Sequence, residues 1–266
     1  MQKPPRILII AGSDSGGGAG IQADIKTVTA LGGYAMTAIT AITVQNTQGV
    51  RAIHGVPADI IAGQIECVVE DIGVDAIKIG MLHDVATVEA VAGALQNVAR
   101  TVPVILDPVM VATSGDTLLA SDAIESFKTH MLPLATLLTP NLPELALLSG
   151  QSVESLQERE QAARSLAPLT KASILVKGGH DSGPQLIDLL LDNDRIEQFK
   201  GERLFSNNTH GTGCTLASAI ACHRGAGVPL GEAVRKARSY VYKAIQTAPG
   251  FGQGAGPLNH LHPLQS

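Results

Sequence analysis

The chain is predicted to be α/β: a mostly parallel central sheet flanked by helices on both faces. Three observations predict the class. Apolar runs rich in Ile, Val and Leu recur at 7–10, 37–44, 76–79, 102–106, 136–138 and 173–176, as strands buried on both faces require. Between them, 19–31, 57–71, 85–100, 142–148 and 153–166 carry apolar residues at three- and four-residue intervals, the period of a helix. Strands alternating with helices build a parallel sheet. Finally, each run ends in residues that can do chemistry: Gly12-Ser13-Asp14, Gln45-Asn46-Thr47, Gly80-Met81-Leu82, Asp107-Pro108, Thr139-Pro140-Asn141 and Lys177-Gly178-Gly179. Ligands of open α/β sheets sit outside the carboxyl ends of the strands, so these exits should form one site. Beyond the sixth run, 186–191 and 195–199 around Asp192-Asn193-Asp194 read as a hairpin. A helix opening after glycines 211 and 213 and a last helix over 230–247 complete the chain.

Composition bounds the function. With 266 residues, 45% hydrophobic and 16% charged, and with 28 glycines and 14 prolines spread along the chain, a single domain over 1–266 is expected. The net charge of −5 gives no basic field for nucleic acid, so an anionic ligand must be held locally. Three cysteines, Cys67, Cys214 and Cys222, do not make a disulfide framework and suit the reducing cytoplasm. The first apolar run, at 7–11, is too short for a signal peptide or a membrane span, and no membrane partner is expected.

The most informative segment is Asn208-Thr209-His210-Gly211-Thr212-Gly213-Cys214-Thr215, which feeds an alanine-rich helix. First-turn N–H groups lack helical partners and, with the helix dipole, attract an anion; glycines let a phosphoryl group reach the backbone. The same field is expected to lower the pKa of Cys214 and make it a proton acceptor or nucleophile. A small buried thiol beside a tight turn is the other reading of these residues. The earlier cluster, from Gly12 to Gly20, is neither a dinucleotide fingerprint nor a P-loop, because Ile21 takes the last glycine position and no Gly-Lys-Ser/Thr follows. It is expected to be a flexible loop able to close over a small ligand. Asp24 is then either a ligand acceptor or an exposed first-turn acid. Asp107, Asn141 and Glu144 offer hard oxygens of the kind Mg2+ uses sparingly beside substrate phosphates, although Asn141 with Glu144 also reads as a helix cap. Lys177 is either a phosphate partner or a solvated strand-end lysine. Gln45 and Met81 can hydrogen-bond and cover a heteroaromatic ring, or simply pack.

These segments, from the cluster at 11–24 through Lys78-Ile79-Gly80-Met81-Leu82 and Val176-Lys177-Gly178-Gly179-His180 to the Cys214 turn, occur in the order of a known family. The chain resembles the ribokinase-like superfamily and, within it, the hydroxymethylpyrimidine and hydroxymethylpyrimidine-phosphate kinases of thiamine biosynthesis. The resemblance implies ATP as co-substrate with Mg2+. Gly12, Asp24, Gln45, Met81 and Val109 would contact the pyrimidine, and Gly211, Thr212 and Gly213 would form the anion hole. Cys214 would be the base, Lys177 and Thr209 would lie along the nucleotide phosphates, and Asp107, Asn141 and Glu144 would organise the metal. Superfamily members mostly carry an aspartate where this chain has Cys214, which argues against a sugar substrate. A homodimer is also implied. Pyridoxal kinase is the nearest rival; a hydrolase using Cys214 with His180 or His210, or a non-catalytic precursor-binding module, are the more distant ones.

Overall fold

The computed structural model describes residues 3–111, 115–180 and 183–265, with the side chain of His180 outside that description. Its first run is the centre of β1 (Arg6–Asp14), where Ile7, Leu8, Ile9 and Ile10 are wholly buried. Side chains alternate across a strand. Leu8 and Ile10 therefore enter one apolar layer while Ile7 and Ile9 enter the other, and each layer has to be roofed by helices.

The elements follow as α1 (Gly20–Ala30), β2 (Tyr34–Asn46), β3 (Gly49–Gly55), α2 (Ala58–Asp71), β4 (Ala76–Ile79), α3 (Val85–Leu95), β5 (Val104–Leu106) and α4 (Ala123–His130). Then come β6 (Leu137–Leu138), α5 (Leu142–Ser149), α6 (Leu156–Ser165), β7 (Ser173–Val176), β8 (Gln185–Asp192), β9 (Arg195–Glu202), α7 (Thr212–Gly225) and α8 (Leu230–Gln246). All the strands join one nine-stranded sheet of order β3-β2-β1-β4-β5-β6-β7-β8-β9. From β2 through β7 the neighbours run parallel, and antiparallel strands close both edges. Helices α2 to α6 cover one face, and α1, α7 and α8 cover the other. Because β2 and β4 flank β1 on opposite sides, the connections diverge there, which opens a crevice at the carboxyl ends.

Local chemistry moves several boundaries. The stretch at 153–166 becomes helical only at Leu156, because Ser155 and Glu158 form a reciprocal cap at 3.2 and 2.7 Å. The stretch at 85–100 stops at Leu95 and continues as a short tighter turn, Val98–Arg100. Two elements were not expected. Strand β3 lies at the sheet edge and has no apolar run, and α4 spans eight residues with Phe127 as its deeply buried aromatic. Among the described residues no helix is long and apolar enough to cross a membrane.

Candidate active site

The strand exits enclose a cavity of about 1200 Å³. Every site residue expected from the sequence lines it except Asp24. Gly12 and Met81 meet at one place, where a Cβ on Gly12 would lie 3.0 Å from the Met81 sulfur. Met81 also belongs to a small apolar cluster with Ala41 and Leu118, against which Val109 packs. A flat ring suits such a wall.

A second group surrounds the start of α7. Lys177 Nζ is 2.6 Å from Asp107 Oδ1 and 3.9 Å from Glu144 Oε2. Burial opposes its charge, but Asp107 and Glu144 hold its pKa above the ordinary value. Lys177 is therefore a half-buried fixed cation rather than a solvated lysine. Burial pushes the Glu144 carboxyl up to about 7, with Lys177 acting against the rise and Asp107 adding to it. Asn141 and Glu144 complete a capping box at 2.9 and 2.8 Å, so the capping role is realised. Among the described residues no cluster of three or more His, Cys, Asp or Glu is arranged to hold a metal by itself.

Gly211 caps α7 with φ of 82°, the left-handed region that favours glycine. A Cβ there would lie 1.9 Å from the carbonyl oxygen of Gly18, so the turn before α7 and the first glycine loop interlock backbone against backbone. Gly213 leaves open the space beside Lys177 Nζ and Asp107 Oδ2, which a Cβ would approach to 3.3 and 3.4 Å.

Cys214 departs from expectation. Its thiol is pushed up to about 11, first by burial and then by Asp24 and Asp107, while Lys78 and the N–H of Gly20 pull the other way. The helix N-terminus is present, but withdrawal from water and two nearby carboxylates outweigh its field. His210 does not activate the thiol either. Its Nε2 lies 2.8 Å from Asp14 Oδ2; the His180 side chain is outside the described residues.

Asp14 also replaces the flexible loop with a pinned one. Its carboxylate accepts the N–H groups of Gly16, Gly18 and Ala19 at 2.8, 3.0 and 2.8 Å. Burial raises its pKa, yet His210 and the amides of Ala19 and Gly16 together hold it below the usual range. A depressed carboxylate contributes stability above its unfolded pKa and loses it as pH falls through the folded value. Asp14→Asn puts an amide N–H against donors, so a loss of about 1–3 kcal/mol is expected, together with a raised KM for the ring substrate. Thermal melting and steady-state kinetics check this, and an unchanged KM removes Asp14 as the organiser of the loop.

Asp24, expected at a ligand or in solvent, is fully buried in α1. Its carboxylate accepts from Lys78 Nζ at 2.8 Å and from Ser218 Oγ at 2.7 Å. Sequence reasoning passed over Lys78, which does line the cavity. The signal was a lysine between Ile77 and Ile79 in an otherwise apolar strand.

Over residues 14–259 the sequence matches the phosphomethylpyrimidine kinase family. The chain belongs to that family. It is 47% identical over 259 residues to a hydroxymethylpyrimidine/phosphomethylpyrimidine kinase from Rhizobium meliloti, covering 96% of both chains. It is 46% identical to the thiamine biosynthesis bifunctional protein ThiED of Geobacter sulfurreducens, and covers 96% of this chain but only 52% of that one. Among solved structures, the ADP complex of Bacillus subtilis pyridoxal kinase superposes with a TM-score of 0.89 at 32% identity, covering 98% of this chain and 99% of that one. The sheet and its helical layers are thus those of the ribokinase-like kinases.

Proposed function

We propose that this chain, as one domain, transfers the γ-phosphoryl group of ATP to hydroxymethylpyrimidine, and then phosphorylates the monophosphate to the diphosphate, for thiamine biosynthesis. What carries the reading is the meeting, in one cavity of a member of this family, of the glycine turn at the α7 N-terminus, Cys214, and the ring-sized wall of Gly12, Met81 and Val109.

Phosphoryl transfer asks mainly for positioning and charge stabilisation. The amides of the 211–213 turn meet the transferred group, Lys177 and Thr209 lie along the nucleotide phosphates, and Cys214 takes the proton of the substrate hydroxymethyl group. The O–P bond forms as the bond to the ADP oxygen breaks. Asp107, Asn141 and Glu144 fit a magnesium ion that leans on water and phosphate for its remaining ligands. Asp107 Oδ1 is taken by Thr139 and Lys177, while Oδ2 has no hydrogen-bond partner among the described residues. Such an ion neutralises phosphate charge. The protein is placed in the cytoplasm as a homodimer, without nucleic acid or membrane partners. Incubating it with ATP, magnesium and hydroxymethylpyrimidine and weighing the products tests the assignment.

Pyridoxal kinase is the second reading, favoured by the superposition on the Bacillus subtilis enzyme. Gln45 argues for the pyrimidine. His210 Nε2 donates to Asp14 and so has no lone pair for the Gln45 NH2 at 3.5 Å. The Thr43 hydroxyl has one proton, shared between Ser13 O at 2.8 Å and Gln45 Oε1 at 3.1 Å. The Gln45 amide is therefore under-committed, and can match a ring nitrogen beside an exocyclic amino group. Pyridoxal lacks that amino donor. An unmatched buried polar group costs about 1–3 kcal/mol, or roughly one to two powers of ten, so kcat/KM is expected to favour hydroxymethylpyrimidine by that margin. Gln45→Leu should shrink the gap by losing the pyrimidine; equal use of both rings by the unaltered protein, with no diphosphate formed, would move the assignment to pyridoxal.

A further inference from the structure

The reaction as proposed leaves a chemical difficulty at Cys214. A proton acceptor works as its thiolate, yet this thiol is held at about 11 by its surroundings. A thiolate in a partly dry site needs a fixed cation that keeps donors to spare beyond its own ion pair.

Lys78 meets that description. In β4, Ile77 and Ile79 enter the layer under α2 and α3, and Ala76 enters the layer under α1 and α7. Alternation sends Lys78 the way of Ala76, into a position where the other strands supply Ile and Leu. Its side chain is 0% exposed, as is that of its partner Asp24. Withdrawing such a pair from water is expensive, and well-packed apolar residues often replace it at no loss of stability. Its burial is therefore weak evidence for a purely structural role. Ser218, which steadies Asp24, stands one helical turn beyond Cys214 on α7. An ammonium has three donors, and Asp24 is the hydrogen-bond partner of Lys78 among the described residues. The remaining donors belong to a group that lines the same cavity as Cys214.

The charged groups around the thiol come from four elements: Lys78 from β4, Asp24 from α1, Asp107 after β5 and Lys177 after β7. The two carboxylates raise the thiol and the two ammonium groups lower it. Lys177 is committed to two carboxylates, Asp107 and Glu144. Lys78 has one, and that one is shared with Ser218.

We propose that Lys78 is the positioning residue for Cys214, its buried ammonium serving as counter-charge to the thiolate that accepts the substrate's hydroxyl proton. The proposal rests on Cys214 being the base of the reading above. In the step, the proton passes from the hydroxyl to sulfur, the acceptor oxygen bonds to the γ-phosphorus, and ADP leaves with the electron pair of the broken bond. Lys78 keeps its own protons throughout.

Alkylation of Cys214 by iodoacetamide, followed by the mass of its peptide across a pH series, reads the thiolate directly in the full chain. Peptide mapping is needed because Cys67 is exposed. Lys78→Met strands Asp24, so Lys78→Met/Asp24→Asn, which removes both charges, is measured beside it. At a fixed pH below the thiol midpoint, alkylation is expected to slow about tenfold in Lys78→Met, one unit of pKa, and less in the double variant, where the Asp24 charge that opposes Lys78 is gone too. The acid limb of kcat/KM should move upward with it. A merely structural lysine would lower the melting temperature and leave both profiles in place, and alkylation profiles that superimpose on wild type in both variants overturn the proposal while leaving Cys214 as base. A shifted alkylation profile with an unmoved kinetic limb removes Cys214 as base, and the role of Lys78 with it.

Discussion

Cys214→Ala is expected to lower phosphorylation of the free alcohol by about 10²–10⁴-fold, the usual cost of losing a general base, with nucleotide binding close to wild type. The separation follows from geometry. The turn proposed to bind the anion is built from backbone amides whose positions are fixed by Gly211 and the first turn of α7, where Thr215 N–H reaches Gly211 O at 2.9 Å. Truncating a half-buried thiol removes one sulfur and its Gly20 N–H contact, and leaves those amides and Lys177 in place. The second phosphorylation, in which the acceptor is already an ionised phosphate, should fall much less. Comparing kcat for the alcohol and for its phosphate, with ADP affinity measured in parallel, checks the expectation. Turnover of the alcohol within a few-fold of wild type removes Cys214 from proton transfer. A covalent substrate adduct on the sulfur would instead support a nucleophilic hydrolase.

How far the sequence led depends on which physical signal each residue carries. Strands β1, β4, β5, β6 and β7 were legible because a strand buried on both faces must be a continuous apolar run, and β1 with its wholly buried Ile7 to Ile10 is the plainest case; the edge-ward β2 keeps such a run although Ile42 and Val44 are exposed. Strand β3 carries no such signal. It is an edge, its residues are half exposed, and its pairing with β2 is decided by a neighbour rather than by its own pattern. The same division holds in the site. Each strand exit could be expected to send residues to one place, and every candidate site residue but Asp24, which lies within α1, lines one cavity. What the rule could not supply was the state of each group. The pKa of Cys214 depends on Asp24, Lys78 and Asp107, which are distant in sequence and come together only when α1, β4 and β5 pack. Helix-terminus reasoning sees one local field and misses three buried charges. Likewise the loop after β1 reads as flexible from its glycines, but Asp14 is two residues from one of the amides that it binds and 196 residues from His210, the contact that ties the loop to the turn before α7.

The interlock of those two loops gives a second large expected effect, and a control for it. Gly211→Ala places a methyl carbon 1.9 Å from Gly18 O, a backbone atom that cannot swing aside. It also forces a residue with a Cβ into φ of 82°. The conformational part alone costs about 1–2 kcal/mol. Gly150→Ala isolates that part: Gly150 ends α5 at φ of 68°, and a Cβ there meets nothing within 4 Å. Gly150→Ala should therefore lose about that much stability and keep its activity. Gly211→Ala should lose more stability and, because either the Gly18 loop or the turn must move, should lose turnover by about 10²–10³-fold, as when a donor to a developing anion is withdrawn. Circular dichroism and thermal melting of both variants, beside ATP turnover measured well below their melting temperatures, separate the two contributions. If Gly211→Ala behaves like Gly150→Ala, folded and active, then the contact between Gly18 and Gly211 does not hold the anion-binding turn in its working position.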